Sequence, residues 1–197
     1  MVEHNSFLED AMRRICLPII IAISLLLSGC GRSEETKAAY DSFSQQLAAS
    51  GSVSFTAALR AEYEHKTARF TLSYAEDVSG ACVTVLSPQL IAGVSAHVRG
   101  GDTQLQYDGV MLATGELDGF GLSPMSALPE LVSALKAGYL DSFWEEDGKT
   151  VYQLIPNDRL ICTVWFEPGD MTPVRAELIS EGRVTVYADI SDWSAAD

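Results

Sequence analysis

Apolar and polar residues alternate along much of the chain beyond residue 50. Between Val53 and Tyr63 apolar residues occupy every second position, and the pattern resumes from Phe70 to Tyr74 after a tight connection near His65 and Lys66. Successive side chains of a strand point to opposite faces, so this period predicts strands with one buried face. Further strand-like runs are predicted at 82–86, 90–99, 103–107, 110–116, 151–155, 160–166, 174–180 and 184–190.

A helical period replaces the alternation at two places. Tyr40, Phe43 and Leu47 recur at helical spacing, in a helix that we expect to start near Ser33 and to end at Ser50-Gly51. The second helix begins with the pair Ser123-Pro124, in which a capping residue precedes a proline in the first turn. Its apolar positions are Leu128, Leu131, Val132, Leu135 and Tyr139, with Gly138 close to its end.

The order of these elements predicts the fold class. It is helix, about six strands, helix and about four strands, with hairpin signals such as Gly100-Gly101 and Asp108-Gly109 between strands. We expect an α+β fold, a curled antiparallel sheet (a half-barrel) with one N-terminal helix and one helix covering the concave face. About ten strands spaced 4.8 Å apart form a sheet roughly 40 Å wide. If this sheet were flat, two helices, each about 10 Å across, could not cover its apolar face, so we expect the sheet to curl. The curled sheet encloses either an apolar cavity with an open rim or a solid core.

The first 30 residues have the pattern of an export signal. Arg13 and Arg14 precede an apolar stretch from Ile15 to Leu27, and Leu27-Ser28-Gly29-Cys30 ends it. The stretch is too short to span a bilayer and resembles a bacterial lipoprotein signal peptide, in which the cysteine is lipidated. The alternative is an ordinary signal peptide or anchor with an incidental cysteine, and Met12 is a second candidate start.

This resemblance predicts three segments. Residues 1–29 are a signal peptide, residues 30–37 are the lipidated Cys30 and a polar tether, and residues 38–197 are the folded domain. The acyl group, such as palmitate, would hold the protein on the extracytoplasmic face of the cell membrane. The sequence does not distinguish an inner from an outer membrane.

The charge balance limits the partners. Residues 30–197 contain 11 basic and 24 acidic residues, a formal net charge of −13. Such a surface repels nucleic-acid phosphates and anionic lipid headgroups, so we expect no nucleic-acid binding. Contact with a membrane is expected through the acyl anchor on Cys30.

Residues typical of catalysis or of metal binding do not form motifs. His65 and His97 stand apart from other metal-type ligands, and no Gly-x-Ser-x-Gly elbow or phosphate-binding glycine loop is present. We expect no enzyme activity, no cofactor and no metal. Cys82 and Cys162 form either a disulfide or two inert thiols, and the phase of Cys162 with Leu160 suggests burial.

Several segments carry a resemblance to a known family. They are 53–63, 70–74, Val83-Thr84-Val85-Leu86-Ser87-Pro88, Tyr107-Asp108-Gly109 and Thr172-Pro173-Val174-Arg175-Ala176-Glu177. With the order of the elements, they resemble the LolA/LolB-like lipoprotein-carrier superfamily over nearly the whole chain after the signal. The resemblance implies a half-barrel that binds acyl chains or another hydrophobic partner.

Candidate ligand contacts are the inward-facing apolar side chains, which could contact acyl carbons. They are Phe55, Leu59, Tyr63, Phe70, Leu72, Leu105, Leu131 and Leu135, and apolar groups near the second helix (Phe120, Leu122 and Met125) would mark a rim. Two hypotheses follow. The first is a membrane-anchored protein that binds or carries lipid, acyl chains, lipidated cargo or another hydrophobic ligand. The alternative is a non-enzymatic interaction or sensor subunit with a filled core and a protein partner.

Overall fold

The computed structural model describes residues 29–63, 66–99, 102–113 and 122–196. The chain divides into two compact units, residues 1–42 and 43–197. Helix α1 (Gly29–Ala49) begins in the first unit and ends in the second. Within the described residues, neither helix combines the length and the apolar character needed to cross a bilayer.

The second unit contains one antiparallel sheet and helix α2 (Pro124–Ala137). Its strands, counted over the described residues, are β1 (Ser52–Tyr63), β2 (Lys66–Asp77), β3 (Gly80–Ser87), β4 (Ser95–Arg99), β5 (Asp102–Tyr107), β6 (Val110–Ala113), β7 (Tyr139–Glu146), β8 (Lys149–Asn157), β9 (Leu160–Phe166), β10 (Pro173–Ser180) and β11 (Arg183–Ala196). They lie in the order β6-β5-β4-β3-β2-β1-β11-β10-β9-β8-β7. Because β6 and β7 are the two edges, the sheet is open. The predicted α+β fold with a curled antiparallel sheet and two helices is confirmed.

Strand β7 is an element that the sequence did not predict. The second helix ends at Ala137, so Tyr139 is the first residue of β7 and lies outside the helix to which the sequence assigned it. The pairing of β7 with β8 shifts register between Leu140 and Ser142. This irregularity breaks the alternation of apolar residues that would otherwise indicate a strand.

Two other boundaries differ from the prediction. The run 90–99 contains a 3₁₀ turn at Gln89–Ile91 before β4. The predicted strand 110–116 is described as far as Ala113, and residues 114–116 lie outside the described part. Helix α1 begins at Gly29, so residues 31–37, expected to form a tether, are helical.

Helix α2 begins after Ser123, the capping residue that the sequence predicted, and Ser123 forms a capping box with Ser126. Ser123 Oγ accepts a hydrogen bond from the Ser126 backbone N–H at 3.1 Å, and Ser126 Oγ accepts one from the Ser123 N–H at 3.0 Å. The helix contacts β3 on one side of the sheet and β8 and β10 on the other. Strands β3 and β8 are six positions apart, or about 29 Å in a flat sheet, whereas α2 is about 21 Å long. The sheet therefore curls around α2.

A chain of aromatic contacts runs through the core of the second unit. Asp192, at a φ of 55°, lies where the register between β1 and β11 shifts, and the extra residue puts Trp193 on the same face as Phe55. Successive rings are 4.9–6.5 Å apart between centroids, in the order Tyr152, Phe166, Phe43, Trp193, Phe55 and Tyr74. The chain attaches the second part of α1 to strands from both halves of the sheet.

Candidate functional site

The inner face of β1 and β2 contains four of the predicted ligand contacts. Leu59 lies directly opposite Phe70, and Leu72 lies opposite Ala57 on the same face, next to Phe55. Phe55, Leu59 and Leu72 are buried, and Phe70 is half-buried. The structure therefore brings these four side chains together, and three of them are fully packed in the core.

The other four predicted contacts are distributed over three places. Leu131 and Leu135 lie on α2 and are fully buried, since their relative exposure is 0%. Leu105 is half-buried on β5, opposite Ala96 of β4. Tyr63 is exposed at the end of β1. An acyl chain inside the sheet would thus have to displace side chains that already pack against one another.

A polar network lies beside the end of α2. Lys136 Nζ donates a hydrogen bond to Glu76 Oε2 at 2.8 Å, and Tyr74 Oη donates one to the same oxygen at 3.0 Å. Burial, followed by the charge and the hydrogen bond of Glu76, raises the pKa of the Tyr74 hydroxyl. Ser44 Oγ donates to the Lys136 carbonyl at 3.0 Å, so the end of α1 contacts the end of α2.

Exposed apolar side chains are concentrated at one end of the β1–β6 half of the sheet. Strands β1, β3 and β5 end there, and β2, β4 and β6 begin there. Of the ten large apolar side chains that are exposed in the described residues, seven lie at this end: Tyr63, Leu86, Leu90, Tyr107, Val110, Met111 and Leu112. We call these seven residues the apolar rim. Leu90 is 89% exposed and Val110 is 69% exposed, values unusual for apolar residues grouped on adjacent elements.

Of the residues that the sequence proposed for a rim, the structure describes two. Leu122 and Met125 are half-buried near the start of α2, and Phe120 lies outside the described residues. The apolar rim was missed, although Val110-Met111-Leu112 is a run of three apolar residues that departs from alternation. In a two-residue period, such a run places an apolar side chain on the outer face as well as on the inner one.

The described residues of the second unit form open grooves on the surface, three of which are considered for ligand binding. One of about 490 Å³ lies between α2 and the β2–β3 turn, and one of about 720 Å³ crosses β1 to β6 and contains Cys82, His97 and Gln106. His97 Nε2 is 3.1 Å from Gln106 Oε1, and His65 lies outside the described residues. Across the part of the chain that is described, no three His, Cys, Asp or Glu side chains cluster as metal ligands. The third groove, of about 480 Å³, lies on the outer face of β1, β2, β10 and β11.

Cys82 and Cys162 are both free thiols. Cys82 is half-buried on β3, whereas Cys162 is fully buried on β9, five strands away in the sheet. Of the two alternatives, the structure thus has free thiols. Burial, with a smaller effect of the Glu130 charge, raises the pKa of Cys162 to about 12.

We expect Cys162 to resist alkylation while the protein is folded. At pH 8 its thiol is neutral and buried, and only a thiolate reacts quickly, so iodoacetamide should modify Cys82 well before Cys162. Peptide mass mapping of the labelled sites checks this order, and equal labelling rates would contradict it.

The raised pKa of Cys162 also means that the folded state keeps a proton that the unfolded state loses above pH 9. Cys162 should therefore lower stability as pH rises from about 9 to 12, by up to about 1.4 kcal/mol per pH unit.

Comparison with known proteins yields likenesses in fold. No family model matches the sequence. No curated protein sequence matches it. Among solved structures, a DUF1329 family protein from Desulfovibrio piger is 12% identical with a TM-score of 0.48, and the match covers 81% of this chain and 92% of that one. A LolA superfamily protein from Nitrosomonas europaea is 11% identical with a TM-score of 0.47, covering 80% and 93%.

A mycobacterial lipoprotein is also similar. The Mycobacterium tuberculosis lipoprotein LppX is 16% identical with a TM-score of 0.35, and the match covers 79% of this chain and 93% of that one. The solved structures similar to this chain thus include a LolA superfamily protein, in agreement with the resemblance seen in the sequence. At these identities and TM-scores, no function is transferred from them.

Proposed function

We propose that this protein is an extracytoplasmic lipoprotein, anchored by acylated Cys30, that binds lipid through its apolar rim. The observation that carries the proposal is that seven exposed apolar side chains lie at one end of the β1–β6 half of the sheet, on β1, β3, β5, β6 and the turn after β3. Solvent-exposed apolar patches of this kind are typical of surfaces that contact a membrane or another protein.

The energetics favour the rim over the interior as the site of lipid contact. Transfer of a side chain such as Leu90 or Val110 from water to an apolar environment is favourable by about 1.5–3 kcal/mol. The inner residues Leu72, Leu131 and Leu135 are already fully buried, so they have no such free energy left to gain. An acyl chain would gain its contacts at the rim without unpacking the core.

The character of the rim favours a lipid interface. Tyr63 and Tyr107 combine an apolar ring with a polar hydroxyl, which suits the boundary between headgroups and acyl chains. Two acyl chains on Cys30 would suffice for stable anchoring, so the rim would add a contact between the protein and lipid rather than the attachment itself.

Vesicle flotation of residues 31–197 tests the proposal without the anchor. We expect this protein to float with phosphatidylcholine vesicles at 0.15 M salt, because the rim inserts apolar side chains into the interface. Native mass spectrometry of the same sample shows whether a lipid is also retained stoichiometrically, as an internal ligand would be. A protein that stays unbound and lipid-free would overturn the proposal.

The second candidate function is that of an extracytoplasmic protein-interaction subunit. Strand β6 favours it, because Val110–Ala113 pairs only with β5 in the described part of the sheet and is one of its edges. Edge strands present unpaired backbone groups to which a partner strand can add. Failure of vesicle binding together with a filled core would favour this alternative.

A further inference from the structure

We propose that the outer-face groove of β1, β2, β10 and β11 binds the phosphate group of a lipid headgroup. This proposal rests on the proposed function, because it names the class of lipid, one with a phosphate in its headgroup, that would contact the apolar rim. The groove has a volume of about 480 Å³, which suits a small ligand. Three arginines line it, Arg60, Arg69 and Arg175, and we call it the arginine groove.

The concentration of arginine is unexpected for so acidic a chain. Residues 30–197 contain 11 basic residues against 24 acidic ones, and three of the 11 line this one groove. Arg60 and Arg69 lie directly opposite each other on β1 and β2. Like charges at directly opposite positions destabilise a sheet, and a bound anion would remove that cost.

Two of the guanidinium groups lie over aromatic rings. Arg60 lies 3.9 Å from the centroid of the Tyr187 ring, and Arg175 lies 4.6 Å from that of Trp165. Stacking of this kind limits the motion of a guanidinium and leaves its N–H donors at the edge available. Guanidinium donors match the oxygens of a phosphate in paired hydrogen bonds.

Among the described residues, carboxylates lie beside two of the three arginines. Arg60 has a loose ion pair with Glu62 at 3.7 Å, Arg175 is bonded to Glu177, and Asp189, which also lines the groove, lies opposite Arg175. Arg69 is exposed and has no ion pair or hydrogen bond with the described residues. Its donors are thus not occupied by any described residue, and its removal should affect a bound anion most.

The groove adjoins the apolar rim. Arg60 and Tyr63 are three residues apart on β1, which is about 10 Å along a strand. Ser87, which lines the groove, directly follows Leu86 of the rim. A lipid whose phosphate occupies the groove would therefore place its acyl chains beside exposed apolar side chains.

Titration of residues 31–197 with glycerol 3-phosphate tests the groove with a soluble phosphate. We expect saturable binding by calorimetry that weakens about tenfold or more in Arg69→Gln. Arg69→Lys should lose part of this affinity, because lysine keeps the charge but not the paired donors. Arg159→Gln removes an equal charge from the exposed β8–β9 turn and should leave binding unchanged.

Vesicles distinguish a lipid phosphate from a free one. The net charge of −13 repels an anionic surface, so general electrostatics predicts weaker flotation when phosphatidic acid is added to phosphatidylcholine. We expect stronger flotation instead, with the gain lost in Arg69→Gln. If the protein binds glycerol 3-phosphate but shows no stronger flotation with phosphatidic acid, the bound phosphate does not belong to a lipid, and that part of the proposal is overturned.

Absence of saturable glycerol 3-phosphate binding, or equal binding by Arg69→Gln and the unaltered protein, would overturn the groove itself. Phosphatidylcholine also carries a phosphate, so the variants separate the two contacts: Arg69→Gln removes a donor of the groove and leaves the rim intact, and the flotation with pure phosphatidylcholine that this variant retains reports the rim. The two proposals therefore fail separately.

Discussion

Phe166→Ala is expected to destabilise the protein by about 3–5 kcal/mol. Phe166 is fully buried on β9, and its ring contacts Phe43 of α1 at 5.1 Å and Tyr152 of β8 at 5.4 Å between centroids. Both contacts are edge-to-face, the arrangement that aromatic quadrupoles favour. Removing the ring leaves a cavity and breaks the aromatic chain between the helix and the sheet. Urea unfolding followed by circular dichroism measures the change.

Tyr139→Ala is the matched control for this substitution. Tyr139 is also aromatic and lies in the same half of the sheet, but it is 70% exposed at the start of β7. Its loss should change the free energy of unfolding by about 0.5 kcal/mol or less. If the two variants unfold at the same urea concentration, the aromatic chain does not attach the second part of α1 to the sheet.

The double substitution Leu90→Asp with Val110→Asp is expected to lower partitioning to phosphatidylcholine vesicles by about 100-fold or more. Each apolar side chain contributes about 1.5–3 kcal/mol when it leaves water, and a carboxylate contributes nothing and resists desolvation. Because both side chains are exposed, the folded state should be retained. Flotation at several lipid concentrations gives the partition coefficients.

Val78→Asp is the control for the rim. Val78 is 97% exposed in the β2–β3 turn, at the opposite end of the same half-sheet, and the change adds one negative charge. It should alter partitioning little compared with the double variant. If Val78→Asp reduces partitioning as strongly, added charge explains the loss and the rim is not the contact surface.

Local sequence patterns predicted the elements whose stability is decided within a few residues. Ser123-Pro124 indicated the start of α2 because a capping side chain and a proline in the first turn act within the first few residues of a helix. The alternation from Val53 to Tyr63 indicated a half-buried strand, and its burial has the same period. Cys162 was expected to be buried from its phase in β9, and it is.

Irregular pairing hid two features from the same patterns. The register shift beside Leu140 concealed β7, and the shift near Asp192 moved Trp193 to the inner face. A one-residue change of register reverses the face that a side chain occupies, and the pattern of neighbouring residues does not indicate such a change. The predicted helix at Tyr139 was wrong for this reason.

The sequence by itself determined the α+β class, the approximate positions of the helices and most strands, and the acidic charge of the chain. Tertiary structure alone decided that the inner face is packed, that seven exposed apolar residues lie at one end of the sheet, and that Arg60, Arg69 and Arg175 line one groove. Helices and strands follow from periodicities that neighbouring residues carry. The rim and the groove join residues that are distant along the chain, and only the order of strands in the curled sheet brings them together.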